Sequence, residues 1–237
     1  MERLTKEQLE ELHQFDSPTI CNAIERFKIR PNSVGFMKPG MELRVPIDRP
    51  MVGYAATARV SGAHPGDPES GVRLIRYYDH VREMADPTIA VIQDIDADQF
   101  ASFWGEVQAT THMALGTVGT IVDGTVRDLK EASALGFYFF STRIGVSHGY
   151  VHVESFGQPV DILGLTVRPG DLLHADMHGI TQIPHEIAAQ LAEACRATAI
   201  AELEMLDPCR QAIKDGRKPS MDELREWRKN MASKRKD

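Results

Sequence analysis

The sequence is poor in cysteine and has no long apolar segment, and both absences narrow the class of protein. Its three cysteines (Cys21, Cys195 and Cys209) are odd in number and lack the spacing of metal ligands, so we expect reduced thiols. No apolar run approaches the ~18 residues of a membrane span. Residues 1–7 are charged and lack the apolar core of a secretory signal. We therefore predict a cytoplasmic protein without membrane contact.

Motifs of several common protein classes are missing as well. There is no Gly-x-Ser-x-Gly turn of a serine hydrolase. Neither a dinucleotide-binding Gly-x-Gly-x-x-Gly after a strand nor a P-loop occurs. Aromatic residues make up 7% of the chain and do not alternate with Arg or Lys as in RNA-binding motifs. With a net charge of -7, the chain is not expected to bind nucleic acid over a broad surface.

The composition is that of a globular protein, and its pattern predicts an α/β domain. Hydrophobic residues make up 42% and charged residues 26% of 237 residues, enough to bury a substantial core. Apolar runs typical of strands alternate with helical periodicity between residues 51 and 141. Strands are predicted at 51–60, 88–95, 118–122 and 137–141, and helices at 71–84, 106–115 and 128–135. This alternation favours a largely parallel sheet.

The two ends of the chain differ from this central part. A capping box, Thr5 to Gln8, and the segment Asp16-Ser17-Pro18 each predict the start of a helix. Residues 148–176 predict several short strands that pack on the first sheet, and Pro184 opens a long helix. We expect one domain over residues 1–207 and a charged C-terminal extension over 208–237, with an amphipathic helix or frayed tail near its end.

Residues 120–128 form an apolar strand that is predicted to break at Gly124 and to present Arg127 and Asp128. The carboxyl ends of such strands are where open α/β sheets bind ligands. Arginine suits two-point recognition of a carboxylate or enolate, and aspartate suits a hard cation. The alternatives are an Arg–Asp ion pair that caps the next helix, and a turn role for Asp123.

Upstream, Gly105 and Glu106 are predicted to begin a helix. Glycine lets the backbone approach a ligand, and the free amides of the first turn, those of Val107 and Gln108, would bind a carboxylate or phosphate. The alternative is an ordinary glycine turn in which Glu106 complements the helix dipole. Twenty residues separate Glu106 from Arg127, enough for one helix, a turn and one strand, so the two segments are expected to converge.

Histidines offer a second candidate site. In a strand, His148, His152 and Glu154 would share one face and could bind a metal. His174 and His178 repeat this spacing around an aspartate. Neither set has the spacing of a familiar zinc motif, and the alternative is a rim of histidines that hydrogen-bond to the backbone.

Four features of this sequence resemble the RraA-like family: the glycines Gly105 and Gly124 beside the candidate site residues, the acid-x20-Arg-Asp spacing, the segment 123–128, and the late segment 168–180. That family includes 4-hydroxy-4-methyl-2-oxoglutarate/4-carboxy-4-hydroxy-2-oxoadipate aldolases and the regulator of ribonuclease E activity A. The resemblance covers about residues 17–206. It implies an α/β fold of the swivelling β/β/α type, with helices packed on two β layers. It also implies a homotrimer or a dimer of trimers with the active site at a subunit interface.

The resemblance further implies a role for each site residue. Asp128 would be the ligand of Mg²⁺ or Mn²⁺, and Arg127 would contact the 2-oxo oxygen and stabilise the enolate. Glu106 would act through a water near the metal. An acid from the neighbouring chain's C-terminal helix, Glu202 or Glu204, would complete the site.

Substrate binding would fall to Gly105 and to the amides of Val107 and Gln108, which would hold the pyruvoyl carboxylate. The expected function is metal-dependent cleavage of a 4-hydroxy-2-oxo acid to pyruvate, with oxaloacetate decarboxylation as a side activity. Two alternatives are a non-catalytic regulatory trimer that binds proteins, and a metal-dependent hydrolase or isomerase that uses the histidines. Regulators that lack the first acid are not expected to be aldolases, so Glu106 favours catalysis. Many members of the family were once labelled as dimethylmenaquinone methyltransferases, but this sequence has no methyltransferase cofactor motif, so we do not expect that activity.

Overall fold

The structure is a computed structural model that describes residues 3–235. The helices found there are α1 (Lys6–Leu12), α2 (Ser17–Glu25), α3 (Ser70–Glu83), α4 (Glu106–Ala114), α5 (Leu129–Leu135), α6 (His185–Lys214) and α7 (Met221–Lys234). The strands are β1 (Glu42–Leu43), β2 (Met51–Ser61), β3 (Thr88–Asp94), β4 (Thr117–Val126), β5 (Tyr138–Ile144), β6 (His152–Phe156), β7 (Val160–Ile162), β8 (Leu165–Val167), β9 (Leu172–Asp176) and β10 (Gly179–Ile183).

Most strands belong to one mixed sheet with the order β1-β5-β4-β3-β2-β9-β10, in which β6 also pairs with β2. The central strands β2, β3, β4 and β5 are parallel, as the alternation of strands and helices predicts. The sheet is nearly closed and barrel-like, and the β7–β8 hairpin forms a second, small β layer. The predicted α/β fold class is confirmed.

The β-rich second half of the chain is joined to the first half differently from the prediction. We expected its strands to pack on the first sheet, but β6 and β9 pair directly with β2, antiparallel to it. The long β2 offers backbone groups to β9 near Met51–Tyr54 and to β6 near Ala58–Ser61. The backbone groups of β2 form sheet hydrogen bonds with β9 and β6. The second half of the chain therefore extends the first sheet and does not form a layer on its face.

Side chains of the parallel strands are buried on both faces of the sheet, as a continuous β-branched run predicts. On one face, Ala90 and Ile92 of β3 pack with Trp104 and the helices α3, α4 and α5. On the other face, Ile89 and Val91 pack against the β7–β8 hairpin. Helices α1, α2 and α6 bury a third cluster against β9. The helix-covered first face carries the candidate site.

The predicted break of β4 at Gly124 is wrong. The strand continues to Val126 with a register shift between Val122 and Thr125. Asp94 of the neighbouring strand comes so close that a Cβ on Gly124 would lie 2.9 Å from its Oδ2 atom. A glycine in a strand interior often marks a bulge or a close approach, and here it marks both.

Helix α6 is unbroken across Pro208, and α7 packs along it. The predicted domain limit between residues 207 and 208 therefore lies within a helix, and the division into a domain and an extension stays a prediction. Helix α7 agrees with the amphipathic helix predicted after residue 219, although the last two residues lie outside the described part. No helix in the described residues has the length and apolar character that crossing a membrane requires.

Candidate active site

The start of α4 and the end of β4 are joined by backbone pairing. Trp104 forms a parallel bridge with Val126, and the amide of Arg127 donates a hydrogen bond of 3.0 Å to the carbonyl of Trp104. Gly105 and Asp128 follow directly on the two segments. The convergence that the twenty-residue spacing predicts is therefore present in the fold.

Gly105 and Asp128 touch closely. A Cβ at Gly105 would lie 2.4 Å from Oδ2 of Asp128, so no side chain fits there without a shift. Oδ2 of Asp128 accepts a hydrogen bond of 3.0 Å from the amide of Glu106. Asp128 has a left-handed backbone, with φ of 56°, and caps α4 rather than its own helix α5. Because Asp128 satisfies the first amide of α4, the next amides are left for a ligand.

The guanidinium of Arg127 has a donor without a hydrogen-bond partner among the described residues. Its Nη1 atom lies 3.9 Å from Oδ1 of Asp128, a long ion pair, and about a third of each side chain is exposed. The Nε atom is buried and has no hydrogen-bond partner among the described residues. A buried unpaired donor is costly, and an anion bound beside the guanidinium would remove that cost. The alternative reading of a tight Arg–Asp ion pair is therefore not favoured by the geometry.

A cavity of about 180 Å³ lies beside this junction. It is lined by Ser102, Phe103, Gly105, Val107, Gln108, Arg127, His148 and Val151. The four predicted substrate-binding residues thus line one cavity. The carboxylates of Glu106 and Asp128 are not part of its wall. The backbone amides of the second and third residues of α4 have no partner within the helix, and the dipole makes this end attractive to an anion.

Buried polar contacts hold α4 in place. His112 is fully buried; its Nδ1 atom lies 2.8 Å from the carbonyl of Gln108 and its Nε2 atom 3.0 Å from the hydroxyl of Tyr77. Burial lowers the pKa of His112 to about 4, so the ring is neutral near pH 7. The hydroxyl of Tyr78 donates to Oε1 of Gln108 over 2.9 Å. Sequence reasoning missed the tyrosines of α3, because nothing in their spacing links them to residues some thirty positions away.

Two further carboxylates belong to the neighbouring strands β3 and β4: Asp94 is the last residue of β3, and Asp123 lies within β4. The amide of Asp94 donates a hydrogen bond of 2.7 Å to Oδ1 of Asp123. The pKa of each carboxyl group is raised to about 6, mainly by burial and to a smaller extent by a nearby aspartate, which is Asp96 for Asp94 and Asp94 for Asp123. Asp123 lies within β4, so the turn role considered for it is wrong.

The histidines do not form a metal site in the described residues, where no group of three or more His, Cys, Asp or Glu side chains is placed to bind an ion. His148 lines the cavity, while His152 pairs with Glu154 at 2.8 Å. His174 is fully buried against the hydroxyl of Ser17, at 2.9 Å, and burial lowers its pKa to about 4. The geometry favours the alternative of histidines with structural hydrogen bonds.

Two other features lie away from the cavity. Glu202 bonds to Arg235 at 2.6 Å and Glu204 pairs with Lys234, so both acids of α6 are engaged by the end of α7. A larger opening of about 690 Å³ lies between the segment 13–16, the segment 43–50 and the turn after β9. None of the residues predicted to bind substrate lines it, whereas Asp176 and His178 of the second histidine set do.

Comparison with known proteins identifies the family. The family model described as RraA-like, Aldolase/RraA, matches residues 17–181, which is more than half of the chain. The chain therefore belongs to the RraA-like family, and the resemblance carried by the glycine contexts and the Arg-Asp pair is confirmed.

Two relatives indicate the range of the family. Protein DlpA of Legionella pneumophila is 29% identical over 132 residues, covering 51% of this chain and 22% of that protein. A protein of Halalkalibacterium halodurans, named as a candidate 4-hydroxy-4-methyl-2-oxoglutarate aldolase, is 31% identical over 102 residues, or 42% of this chain and 48% of that protein. The chain thus spans half or less of the length of these relatives.

A solved structure supports the fold. RraAS2 of Streptomyces coelicolor, described as an unusual member of the RNase ES inhibitor RraA protein family, superposes with a TM-score of 0.66 at 20% identity. The superposition covers 89% of this chain and 98% of that one. At this identity the superposition supports the fold alone.

Proposed function

We propose that this protein is a metal-dependent lyase that cleaves a 4-hydroxy-2-oxo acid by a retro-aldol reaction to pyruvate and a second carbonyl compound. One observation carries the proposal. Arg127, whose buried Nε has no hydrogen-bond partner among the described residues, lines the same small cavity as Val107 and Gln108, the residues that carry the free first-turn amides of α4. Such a set of donors matches the adjacent carboxylate and 2-oxo oxygen of a pyruvoyl group.

In the proposed complex the amides of Val107 and Gln108 hold the carboxylate, and Gly105 lets the substrate approach the backbone. Arg127 donates to the 2-oxo oxygen. The C3–C4 bond breaks, its electron pair passes into the pyruvate enolate, and the 4-hydroxyl loses its proton. Negative charge grows on the 2-oxo oxygen during this step, and the fixed guanidinium stabilises it more in the transition state than in the substrate.

The carboxylate of Asp128 fits the role of a single protein ligand to Mg²⁺ or Mn²⁺. Its Oδ2 accepts from the amide of Glu106, whereas Oδ1 has, among residues 3–235, only the long contact to Arg127. Mg²⁺ keeps several waters and is commonly bound by one or two carboxylates, so a cluster of three ligands is not required. When bound, the cation would supply Lewis-acid charge to the substrate's oxygens. The exposed carboxylate of Glu106 would accept the 4-hydroxyl proton through a water.

We also propose that the site is completed in a homotrimer or a dimer of trimers. Val107 of the cavity wall is 74% exposed, and Val146 and Tyr150, each two residues from His148 of the same wall, are 94% and 60% exposed. Exposed apolar groups that cluster at a site favour burial by another chain. Glu202 or Glu204 of a neighbouring chain would then need to leave its α7 partner to reach the cavity. Decarboxylation of oxaloacetate follows from the same enolate.

The test is a lactate-dehydrogenase-coupled pyruvate assay with several 4-hydroxy-2-oxo acids and oxaloacetate, in Mg²⁺, Mn²⁺ or EDTA. Pyruvate release should require a divalent ion. Arg127→Ala and Asp128→Ala should each lower kcat/KM by about a hundredfold or more, with the oligomer still folded. Arg82→Ala, which removes an exposed arginine, serves as the matched control.

Two outcomes would count against the assignment. Substantial pyruvate release by Asp128→Ala with Mg²⁺ present would refute the metal-ligand role. No pyruvate from any substrate under any metal condition would refute the lyase and leave a non-catalytic regulator, which specific capture of a ribonuclease or helicase would then support.

A further inference from the structure

The proposed reaction moves two protons, and the second of them still lacks a donor. Cleavage of the C3–C4 bond removes the proton of the 4-hydroxyl, which Glu106 accepts through a water in the proposed function. The pyruvate enolate must then gain a proton at C3 to become pyruvate. The guanidinium of Arg127 and the amides of α4 keep their hydrogens at neutral pH, so neither supplies that proton. Histidine is the side chain type that gains and loses a proton near pH 7, and His148 lines the cavity.

His148 follows β5, on a loop that is tied by its backbone to the rest of the site. The amide of Gly145 donates a hydrogen bond of 3.0 Å to the carbonyl of Val126, the last residue of β4. The carbonyl of Ser147 accepts a hydrogen bond of 2.9 Å from the amide of Ser102, which also lines the cavity. These two bonds connect the loop to the end of β4 and to the segment before α4. His148 is therefore held at the cavity that would contain the pyruvoyl group.

The imidazole of His148 is oriented by its own loop. Its Nδ1 atom lies 2.8 Å from the carbonyl oxygen of Gly149. Because a carbonyl only accepts, Nδ1 carries a hydrogen in both the neutral and the protonated ring, and Nε2 is the atom that gains and loses the proton. Gly149 has a left-handed φ of 51°, and a Cβ there would lie 2.9 Å from the carbonyl oxygen of Gly62. The carbonyl that orients the ring is thus part of a closely packed turn.

Resting on the proposed function, we infer that His148 is a catalytic acid that protonates C3 of the pyruvate enolate. The electron pair of the enolate forms the new C3–H bond with the proton on Nε2, the 2-oxo group re-forms, and the ring is left neutral. Glu106 returns its proton to solvent and His148 takes one up from solvent, so one turnover neither releases nor consumes a proton.

The size of the cavity supports contact between this ring and the enolate. A volume of about 180 Å³ leaves little room between a bound pyruvoyl group and the wall. C3 is bonded directly to the carbon that carries the 2-oxo oxygen, so it lies in the same cavity as the groups held by Arg127. A neighbouring chain that covers the opening adds groups to this cavity and leaves His148 in its wall.

Exchange of the methyl hydrogens of pyruvate with deuterium measures this proton transfer without any carbon–carbon cleavage. With Mg²⁺ in D₂O, proton NMR should show that the unaltered protein exchanges these hydrogens faster than buffer and metal alone. His148→Gln keeps a polar side chain but no group that transfers protons, so exchange should fall about a hundredfold or more. Release of CO₂ from oxaloacetate should stay close to that of the unaltered protein, because forming the enolate by loss of CO₂ needs no acid.

The unequal response of two reactions in one variant separates a proton donor from a structural residue. Loss of the fold or of pyruvate binding would lower both rates together, whereas loss of the acid lowers the exchange alone. His64→Gln makes the same change at an exposed histidine outside the cavity wall, and both rates should be unchanged.

Three results would overturn the role of His148 while the lyase stands. They are unchanged exchange in His148→Gln, an equal loss of exchange and CO₂ release in that variant, and CO₂ release by the unaltered protein without exchange of pyruvate. Absence of pyruvate from every 4-hydroxy-2-oxo acid and from oxaloacetate, in the unaltered protein, would instead overturn the proposed function.

Discussion

The carboxylates of Asp94 and Asp123 should contribute less to stability at neutral than at mildly acidic pH, and Asp123→Asn should remove part of that loss. Asp94 is 4% exposed, and the amide of Asp94 donates to Oδ1 of Asp123. Burial raises the pKa of both groups from 3.8 to about 6. Because the folded protein holds these protons more tightly than the unfolded chain, their contribution to stability is full below pH 3.8 and is lost as pH rises through about 6.

The size of the stability loss follows from the rise in pKa from 3.8 to about 6. At ~1.4 kcal/mol per pKa unit, one such carboxylate lowers the free energy of unfolding by about 3 kcal/mol at pH values well above 6. Asparagine keeps an Oδ1 acceptor for the amide of Asp94 and removes one charge. We expect Asp123→Asn to raise the free energy of unfolding by about 1–3 kcal/mol at pH 7.5. For a chain of this length that is a rise in Tm of about 3–9 °C.

The assay is thermal and urea unfolding of both proteins at pH 4.5, 6.0 and 7.5. The gain should be largest at pH 7.5 and fall towards zero at pH 4.5, where the aspartate is already protonated. Asp98→Asn, at an exposed position in the loop after β3, controls for the change in net charge. A gain that is independent of pH, or a loss of stability at pH 7.5, would refute the assignment of a buried, charge-coupled pair.

Two further predictions concern the site and its support. Gly105→Ala would place a methyl group 2.4 Å from Oδ2 of Asp128, so kcat/KM in the pyruvate assay should fall about tenfold or more. Circular dichroism should show a retained fold, because the φ of -159° at this position suits any residue. Unchanged kinetics would contradict the close packing. The pKa of the buried His112 ring is lowered to about 4, so this residue makes the folded state lose stability as pH falls from 6.5 to about 4. His112→Phe should therefore reduce the decrease in the free energy of unfolding over this range. An equally steep pH profile of unfolding in the variant would refute this role of His112.

Local signals in the sequence predicted several elements because their causes are local. The Thr5 capping box is present, and the side chain of Asp16 accepts from the amide of Thr19 at 2.9 Å, as its place before Ser17-Pro18 predicts. The β-branched run 88–95 became β3, which is buried on both faces. These patterns report hydrogen bonds and burial within a few residues, so no knowledge of the remaining chain is needed.

Features that depend on distant residues were not predictable. Gly124 was expected to end β4, because the sequence around it does not show that Asp94 packs against this glycine. The bond between Tyr78 and Gln108 joins two helices, and neither residue carries a motif. The pairing of β6 with β2 is likewise non-local. By contrast, the meeting of Gly105 with Asp128 could be predicted, because one helix, one turn and one strand return the chain to the same edge of the sheet.

Asp128 links the start of α4 to the end of β4, and this explains why its environment is so constrained. Its left-handed φ of 56° turns the carboxylate away from α5 and onto the amide of Glu106. Aspartate tolerates this conformation better than most residues, but at some cost, and the missing side chain at Gly105 provides the space. The bond fixes the direction in which the next two amides of α4 point relative to Arg127. The donors that border the cavity are therefore positioned before any ligand arrives, so a bound anion would gain their interactions without the cost of ordering them.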